Sequence, residues 1–258
     1  VILQVVQSFF FSFAANHIMA QVADSTVAVT SLTDTGEQEE AMPVKVFASQ
    51  RLINANTVEV LKKGIMDFKV AHSFEDIGGD KGGIKNFFGL DKSTDVRIGF
   101  QIGLSNRLNI VATRAKGAGR VQQLYELGLK YQLMRQMQND SKHPLSMTLY
   151  ANNVISTMKA EPLPDRENSF RGFGDRTSQV VQLMVARKFG KSSFQLSPTF
   201  VNTGYVQPGD DKSMFALGAA ARIPLSKKFI FVFDYFHPFR SKDSKNFIRN
   251  TGSEVYDA

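Results

Sequence analysis

From residue 64 to residue 237 the chain repeats one pattern, in which apolar and polar side chains alternate one by one. In DVRIGFQIGL, Val96, Ile98, Phe100, Ile102 and Leu104 share one side, and Arg97, Gly99, Gln101 and Gly103 share the other. In LYELGLKYQL, Tyr125, Leu127, Leu129, Tyr131 and Leu133 oppose Glu126, Gly128, Lys130 and Gln132. In FQLSPTF, Phe194, Leu196, Pro198 and Phe200 oppose Gln195, Ser197 and Thr199. The same alternation runs through IMDFKVAHSF, PLSMTLYANN, VVQLMVARKF, FALGAAARI and FIFVFDY, and more weakly through RLNIVATR. A period of two is the signature of a strand with two different faces. Nine such segments predict an all-β chain.

The connections alternate too. Residues 104–108, 137–144, 189–193 and 225–229 are short turns. Residues 75–94, 116–120, 161–176 and 206–211 are longer or glycine-rich. Short and long connections in strict succession describe an antiparallel up-and-down meander. They also describe outer-membrane barrels, which have short periplasmic turns and longer outer loops. On that reading the strand near 64–74 runs outward, and the N-terminus is periplasmic.

The polar face decides which solvent meets the apolar one. A soluble lipocalin-like barrel keeps its apolar residues inside and covers its surface with charge. Here the polar face is rich in Gly, Ser, Gln and Thr and carries only scattered charges. The strands have the length of tilted strands that cross hydrocarbon. The expectation is therefore an antiparallel up-and-down transmembrane β-barrel in a bacterial outer membrane, with a soluble lipocalin-like carrier as the alternative. Tryptophan is absent, so Tyr125, Tyr131, Tyr235 and the 22 phenylalanines must supply any aromatic girdle.

With the apolar face on lipid, Asp67, Lys69, Arg97, Gln101, Glu126, Lys130, Gln182 and Arg222 point into the lumen, and Asp234 joins them. Their mixed signs suit charge pairs that either plug a bore or line a narrow passage. Gly99, Gly103, Gly128 and Gly218 on the same face predict close packing.

The start of the chain, VILQVVQSFFFSFAANHIMAQ, is apolar and then polar, as a secretory signal cleaved after Ala20 is. Residues 21–42 read as an acidic flexible tail, and the barrel domain as 43–258. Nine is an odd strand count, and bacterial single-chain barrels close with an even one. A native barrel of ten to twelve strands follows, with C-terminal strands beyond this chain. Residues 44–49 are a candidate for a further strand at the front. The rival is a complete chain that closes as ten.

Residues 1–40 hold five acids and no Lys or Arg, which leaves all 31 basic residues and 19 acids in the remainder. That basic body lacks any nucleic-acid reading motif. Its expected partners are outer-membrane lipid and small polar or anionic solutes.

Cysteine is absent, which excludes disulfides and thiolate chemistry. His17, His72, His143 and His237 show no metal-ligand spacing, and no nucleophile-elbow motif occurs. His72 and Ser73 are adjacent on a strand and so face opposite ways. GGDKGG (78–83) and KGAGR (116–120) lack the strand–loop–helix setting of a phosphate cradle. ENSFRGFGDR interleaves Arg171 and Arg176 with Phe170 and Phe173, and reads either as an anion-binding loop or as ordinary loop packing. The expectation is a protein without catalytic residues, cofactor or metal. An outer-membrane enzyme acting on lipid is the alternative, and it requires a Ser/His/acid cluster assembled from neighbouring strands.

Three runs, VFASQRLINANTVEVLKKGIMDFKVAHSF, NFFGLDKSTDVRIGFQIGLSNRL and LYELGLKYQLMRQ, resemble an uncharacterised family of Bacteroidota-type outer-membrane β-barrels, a domain of unknown function. The similarity covers most of residues 44–237, and FFGLDKSTDVRIGFQIGLSNRL is its most specific part. The resemblance implies a barrel and an outer-membrane location. It implies no reaction, substrate or catalytic residue. Members of that family continue past the point where this chain stops.

Overall fold

The computed structural model describes residues 42–74, 83–91, 93–117, 121–163, 166 and 168–251. The signal reading of 1–20, nearly all of the acidic tail and most of GGDKGG lie outside the described residues.

Alternation becomes one antiparallel sheet. Its nine strands are β1 (Met66–Phe74), β2 (Ser93–Gly103), β3 (Leu108–Ala115), β4 (Leu124–Met134), β5 (Ser146–Ser156), β6 (Thr177–Phe189), β7 (Ser192–Asn202), β8 (Ser213–Pro224) and β9 (Ile230–Phe239). Their order in the sheet is their order in the chain, so each strand pairs with the next. Every neighbour is reached by reversing direction, as short connections dictate. Among the described residues, β1 and β9 do not pair with each other, and each forms a sheet edge.

Pro198 sits inside β7 rather than at an edge. Proline has no N–H for the ladder. The β6–β7 register accordingly runs through Gln182–Thr199, lapses opposite Pro198, and resumes at Val185–Leu196.

The two faces are inverted relative to a soluble protein. Phe68, Ile98, Phe100, Leu127, Leu129, Leu196, Phe215 and Tyr235 are all exposed. Glu126, Lys130, Thr148, Gln182, Gln195 and Ser197 are all buried. Exposed aromatic rings meet across strands, Phe68 on Phe100 at 4.9 Å and Phe200 on Phe215 at 5.1 Å. A contiguous apolar surface of this extent has no place in water. It does match the lipid-facing band of a membrane barrel.

The band has an upper limit on β5 to β8. Asn153, Gln179, Asn202 and Ser213 follow one another across the outer face in register. Gln179 Nε2 donates to Asn153 Oδ1 at 3.2 Å, Asn202 Nδ2 to Gln179 Oε1 at 2.7 Å, and Ser213 Oγ to Asn202 Oδ1 at 2.7 Å. Side chains that satisfy one another sideways suit the depth where hydrocarbon gives way to headgroups.

Residues 44–49 do not form the further strand considered at the front of the sheet. They run irregularly, tethered by a single bridge between Pro43 and Met137. Residues 43–63 instead lie along the inner face of the sheet. Val46, Phe47 and Val58 are buried against Tyr150, Met184 and Ala186. Phe47 is 1% exposed and Val58 0%. Each such side chain contributes about 1.5–3 kcal/mol by leaving water. The apolar core of this unit is thus formed by an irregular segment, because the strands spend their apolar residues on the outside.

After β9 the chain forms a helix, α1 (Lys242–Thr251). Ser241 caps it, its Oγ accepting the N–H of Ser244 at 3.1 Å. Asp243 lies in the first turn and Arg249 in the last, the order the helix dipole favours. The helix is moored to the β7–β8 connection. Arg240 Nη1 donates to Asp210 at 3.0 Å, Ser244 Oγ to Asp210 at 2.6 Å, and Ser241 to Asp211 through both N–H and hydroxyl at 2.7 Å.

The β1–β2 connection belongs to a separate compact unit. Within it, residues 84–89 form a tight 3₁₀ segment that starts at Gly83.

Candidate functional site

Amide and hydroxyl side chains dominate the inner face, and residues 43–63 explain why. An irregular segment carries backbone N–H and C=O groups that no ladder satisfies. Side chains that both donate and accept can meet them. Gln195 Oε1 accepts the Val58 N–H at 3.0 Å, and its Nε2 donates to Asn56 O at 2.7 Å. Val58 O accepts from Thr148 Oγ1 at 2.7 Å and Gln132 Nε2 at 3.3 Å. Ser193 Oγ donates to Val46 O at 2.5 Å. Asp234 accepts the N–H groups of Asn54 and Ala55 at 2.8 and 2.9 Å. With its amide oriented to suit its neighbours, buried Asn109 accepts the Leu61 N–H at 2.7 Å and donates to Leu61 O at 3.2 Å.

Segment 43–63 enters and leaves at the short-turn end. Val44 donates to Gln136 O, and Lys63 donates to Asn106 Oδ1. Between those points it folds back on itself through a bridge between Arg51 and Asn56. Glu59 Oε1 holds the N–H groups of Val46 and Phe47, tying the descending limb to the ascending one. Gly103 allows the exit into β1. A Cβ there would stand 2.1 Å from Lys62 O, so only glycine admits the chain.

The eight residues expected in a lumen occupy the same face as this segment or its continuation, and they divide into groups. Lys130 is buried and donates to Gln50 O at 3.3 Å. Arg97 and Glu126 form a two-pronged ion pair, with Nη1 to Oε1 at 2.6 Å and Nη2 to Oε2. Asn152 Nδ2 adds a bond to the same carboxylate at 3.4 Å. Arg51, at the turn of the segment, lies in electrostatic reach of Arg97, Glu126, Tyr150 and Asp234. Gln182 donates to Thr199 Oγ1 at 2.9 Å. Gln101 donates to the Asn109 amide at 2.6 Å in the same orientation of that amide. Asp67 and Lys69 pair with each other at 2.8 Å on edge strand β1. Arg222 is half-buried beside Ser193 and has no charged partner among the described residues.

Two buried oxygens, Asn152 Oδ1 and Gln182 Oε1, have no hydrogen-bond partner among the described residues. Gln182 stands opposite Tyr150 in the β5–β6 register, and Asn152 lies two residues further along β5. Acceptors left open in this way take a hydrogen-bond donor from water or a solute.

The glycines behave as close-packing sites. A Cβ on Gly218 would lie 2.4 Å from the Phe236 ring, and one on Gly128 would meet Tyr150 and Asn152 at 3.0–3.1 Å.

Other candidates separate. His72 lies on β1, His143 pairs with Asp140 in a turn at 2.6 Å, and His237 bonds Tyr235 on the outer face of β9. Among the described residues no three His, Asp or Glu side chains gather as a metal site requires. In ENSFRGFGDR, Phe170 is buried against Tyr205 and under the Arg176 guanidinium at 4.7 Å. Arg176 also donates to Met158 O at 2.5 Å, so this arginine serves the loop's own packing. Gly117 of KGAGR donates to Asp95 Oδ1 at 2.7 Å, and residues 118–120 lie outside the described residues.

Sequence reasoning missed the segment that covers the inner face. The available signal was the run of amides on that face together with a stretch, 43–61, that lacks the period of two.

An up-and-down antiparallel sheet, apolar outside and polar within, defines a β-barrel protein of membranes. The chain belongs to the family described as "Membrane bound beta barrel domain (DUF5777)", whose model matches residues 47–258. Neither the comparison with curated proteins nor that with solved structures gives a match.

Proposed function

We propose that this protein is a non-enzymatic barrel of the bacterial outer membrane whose lumen is occluded from the short-turn side by its own segment 43–63. The short turns face the periplasm and the long connections face outward, as in other outer-membrane barrels. The sheet edges of β1 and β9 take backbone partners in the membrane, since unpaired N–H and C=O groups are not tolerated in hydrocarbon. Small polar solutes pass only when the segment withdraws. Arg97, Glu126, Asn152 and Gln182 then line their path.

One observation carries this reading. The backbone of residues 54–58 is held by Asp234, Gln195, Gln132 and Thr148, side chains drawn from β4, β5, β7 and β9. A pore meant to stand open would not use its lining in this way. The polar inner face is also the reverse of what an apolar-ligand carrier needs.

The test is single-channel recording on the full chain in planar bilayers. The native protein is expected to insert silently. Asp234→Ala with Gln195→Ala, which unties the segment without removing it, is expected to give discrete conductance steps. Native protein that conducts as freely as the variant would overturn the occluded lumen.

A further inference from the structure

One rim of the sheet differs from the other in charge. The four connections at one end of the strands, 104–107, 135–145, 190–191 and 225–229, carry Arg107, Arg135, Lys142, Lys191, Lys227 and Lys228. Asp140 is their single acid, and His143 and the Lys142 N–H already occupy it at 2.6 and 2.8 Å. Lys62 and Lys63 reach the same rim from the inner segment. Connections at the opposite ends of the strands carry both signs, with Glu161, Asp175, Asp210 and Asp211 beside Lys159, Arg171, Arg176 and Lys212.

The apolar band directly beside this basic rim is not smooth. On β8, Ala219 and Ala221 present only methyl groups outward. In register with Ala221 stand Phe194 on β7 and Phe233 on β9. Two aromatic ridges flanking a methyl floor leave a hollow of about 360 Å³, also walled by Leu196, Val185 and Leu145. Arg187 closes its rim end. The guanidinium stacks on Phe189 at 4.8 Å and has no carboxylate partner among the described residues. Arg187 is exposed at the rim end of the apolar band.

We infer that this hollow binds an anionic glycerophospholipid, one acyl chain lying over Ala219 and Ala221 and the phosphate pairing with Arg187. The neighbouring Lys191 and the lysines of the 225–229 turn supply the field that selects a negative headgroup. Arginine suits this place because its planar fork matches two phosphate oxygens while its stem stays against apolar surface. Charge on one rim and shape on the adjoining face point to the same ligand. Recognition of this kind holds whichever aqueous side the short turns face, so it stands apart from the occluded-lumen reading.

The test is native mass spectrometry of the detergent-purified full chain, titrated with phosphatidylglycerol and with phosphatidylcholine of identical acyl chains. Phosphatidylglycerol is expected to be retained preferentially, with the preference falling as salt rises. Arg187→Gln is expected to weaken phosphatidylglycerol binding about fivefold, the worth of one cation at an anionic membrane surface, and to weaken phosphatidylcholine less, because choline already shares the charge of its phosphate. Ala221→Leu, which fills the floor with a side chain that lipid tolerates, is expected to weaken both lipids alike. Inorganic phosphate at millimolar concentration should not displace the lipid. Equal retention of the two lipids, indifference to Arg187→Gln, or displacement by phosphate alone would each overturn the assignment.

Discussion

Asp234, midway along β9, accepts the backbone N–H of Ala55 at 2.9 Å although 179 residues separate them, and the same Oδ2 accepts that of Asn54. One carboxylate thus fixes the turn of the inner segment to a strand at the sheet edge. An alanine there removes the acceptor of both N–H groups. Asp234→Ala should cost about 1–3 kcal/mol, the net worth of two hydrogen bonds to a half-buried carboxylate. Its expected signature is faster tryptic cleavage after Arg51 with the heat-modifiable barrel band retained on gels. Equal cleavage of both proteins would show that Asp234 does not hold the segment.

The Arg97–Glu126 pair allows a second prediction. Glu126 is 7% exposed, and its carboxylate also accepts from Asn152. Removing one partner strands a charge on a face with little water. Arg97→Met or Glu126→Gln alone should destabilise by about 3–5 kcal/mol, while the double variant should lose much less than the sum. Denaturant titration in lipid vesicles measures all four corners of this cycle. Additive losses would mean that the two residues act independently.

Gly218 on β8 and Phe236 on β9 face each other so closely that a Cβ would overlap the ring at 2.4 Å. Gly218→Ala is therefore an overpacking change and should cost about 1–3 kcal/mol. Phe236→Leu in the same chain should recover part of that loss. If Gly218→Ala alone is neutral by thermal melting in micelles, the close approach is not a constraint.

The strands were legible because a lipid-facing sheet writes its two faces into alternate residues. Phe194, Leu196 and Phe200 could be assigned outward, and Gln195 and Thr199 inward, from parity alone. Pro198 was compatible with a strand interior only because the β6–β7 ladder lapses opposite it. Residues 43–63 were not legible in the same way. Their apolar residues, Val46, Phe47 and Val58, follow no period, since each packs where an irregular path happens to bring it. The strand expected at 44–49 failed for that reason. Pairing partners were also beyond parity. Arg97 and Glu126 lie 29 residues apart on β2 and β4, and their contact crosses the intervening strand β3. Helix α1 followed a segment whose polar residues gave no apolar stripe to read.

The outer band predicts a depth-dependent response to charge. Leu196 lies within the apolar stretch of β7, and Asn202 lies in the polar row at its upper limit. Leu196→Arg should cost about 2–4 kcal/mol in bilayer folding and Asn202→Arg about 0–1 kcal/mol. Equal costs at the two positions would place the hydrocarbon boundary elsewhere.

Docking of α1 should depend on acidity in one direction. The Ser241 N–H, and then the Ser241 hydroxyl, hold the Asp211 carboxyl below its ordinary value. Both bonds need the ionised form. A carboxyl whose folded value lies below its unfolded value of about 3.9 stabilises the docked state above that unfolded value. The contribution fades as pH falls through the lower, folded value. Hydrogen exchange in the helix, Lys242–Thr251, should therefore be flat from neutral pH down to about 5 once corrected for intrinsic rates, and should accelerate only below about 4. Asp211→Asn should exchange faster at neutral pH and lose that acid dependence. A helix whose protection instead changed near pH 6–7 would be governed by another group.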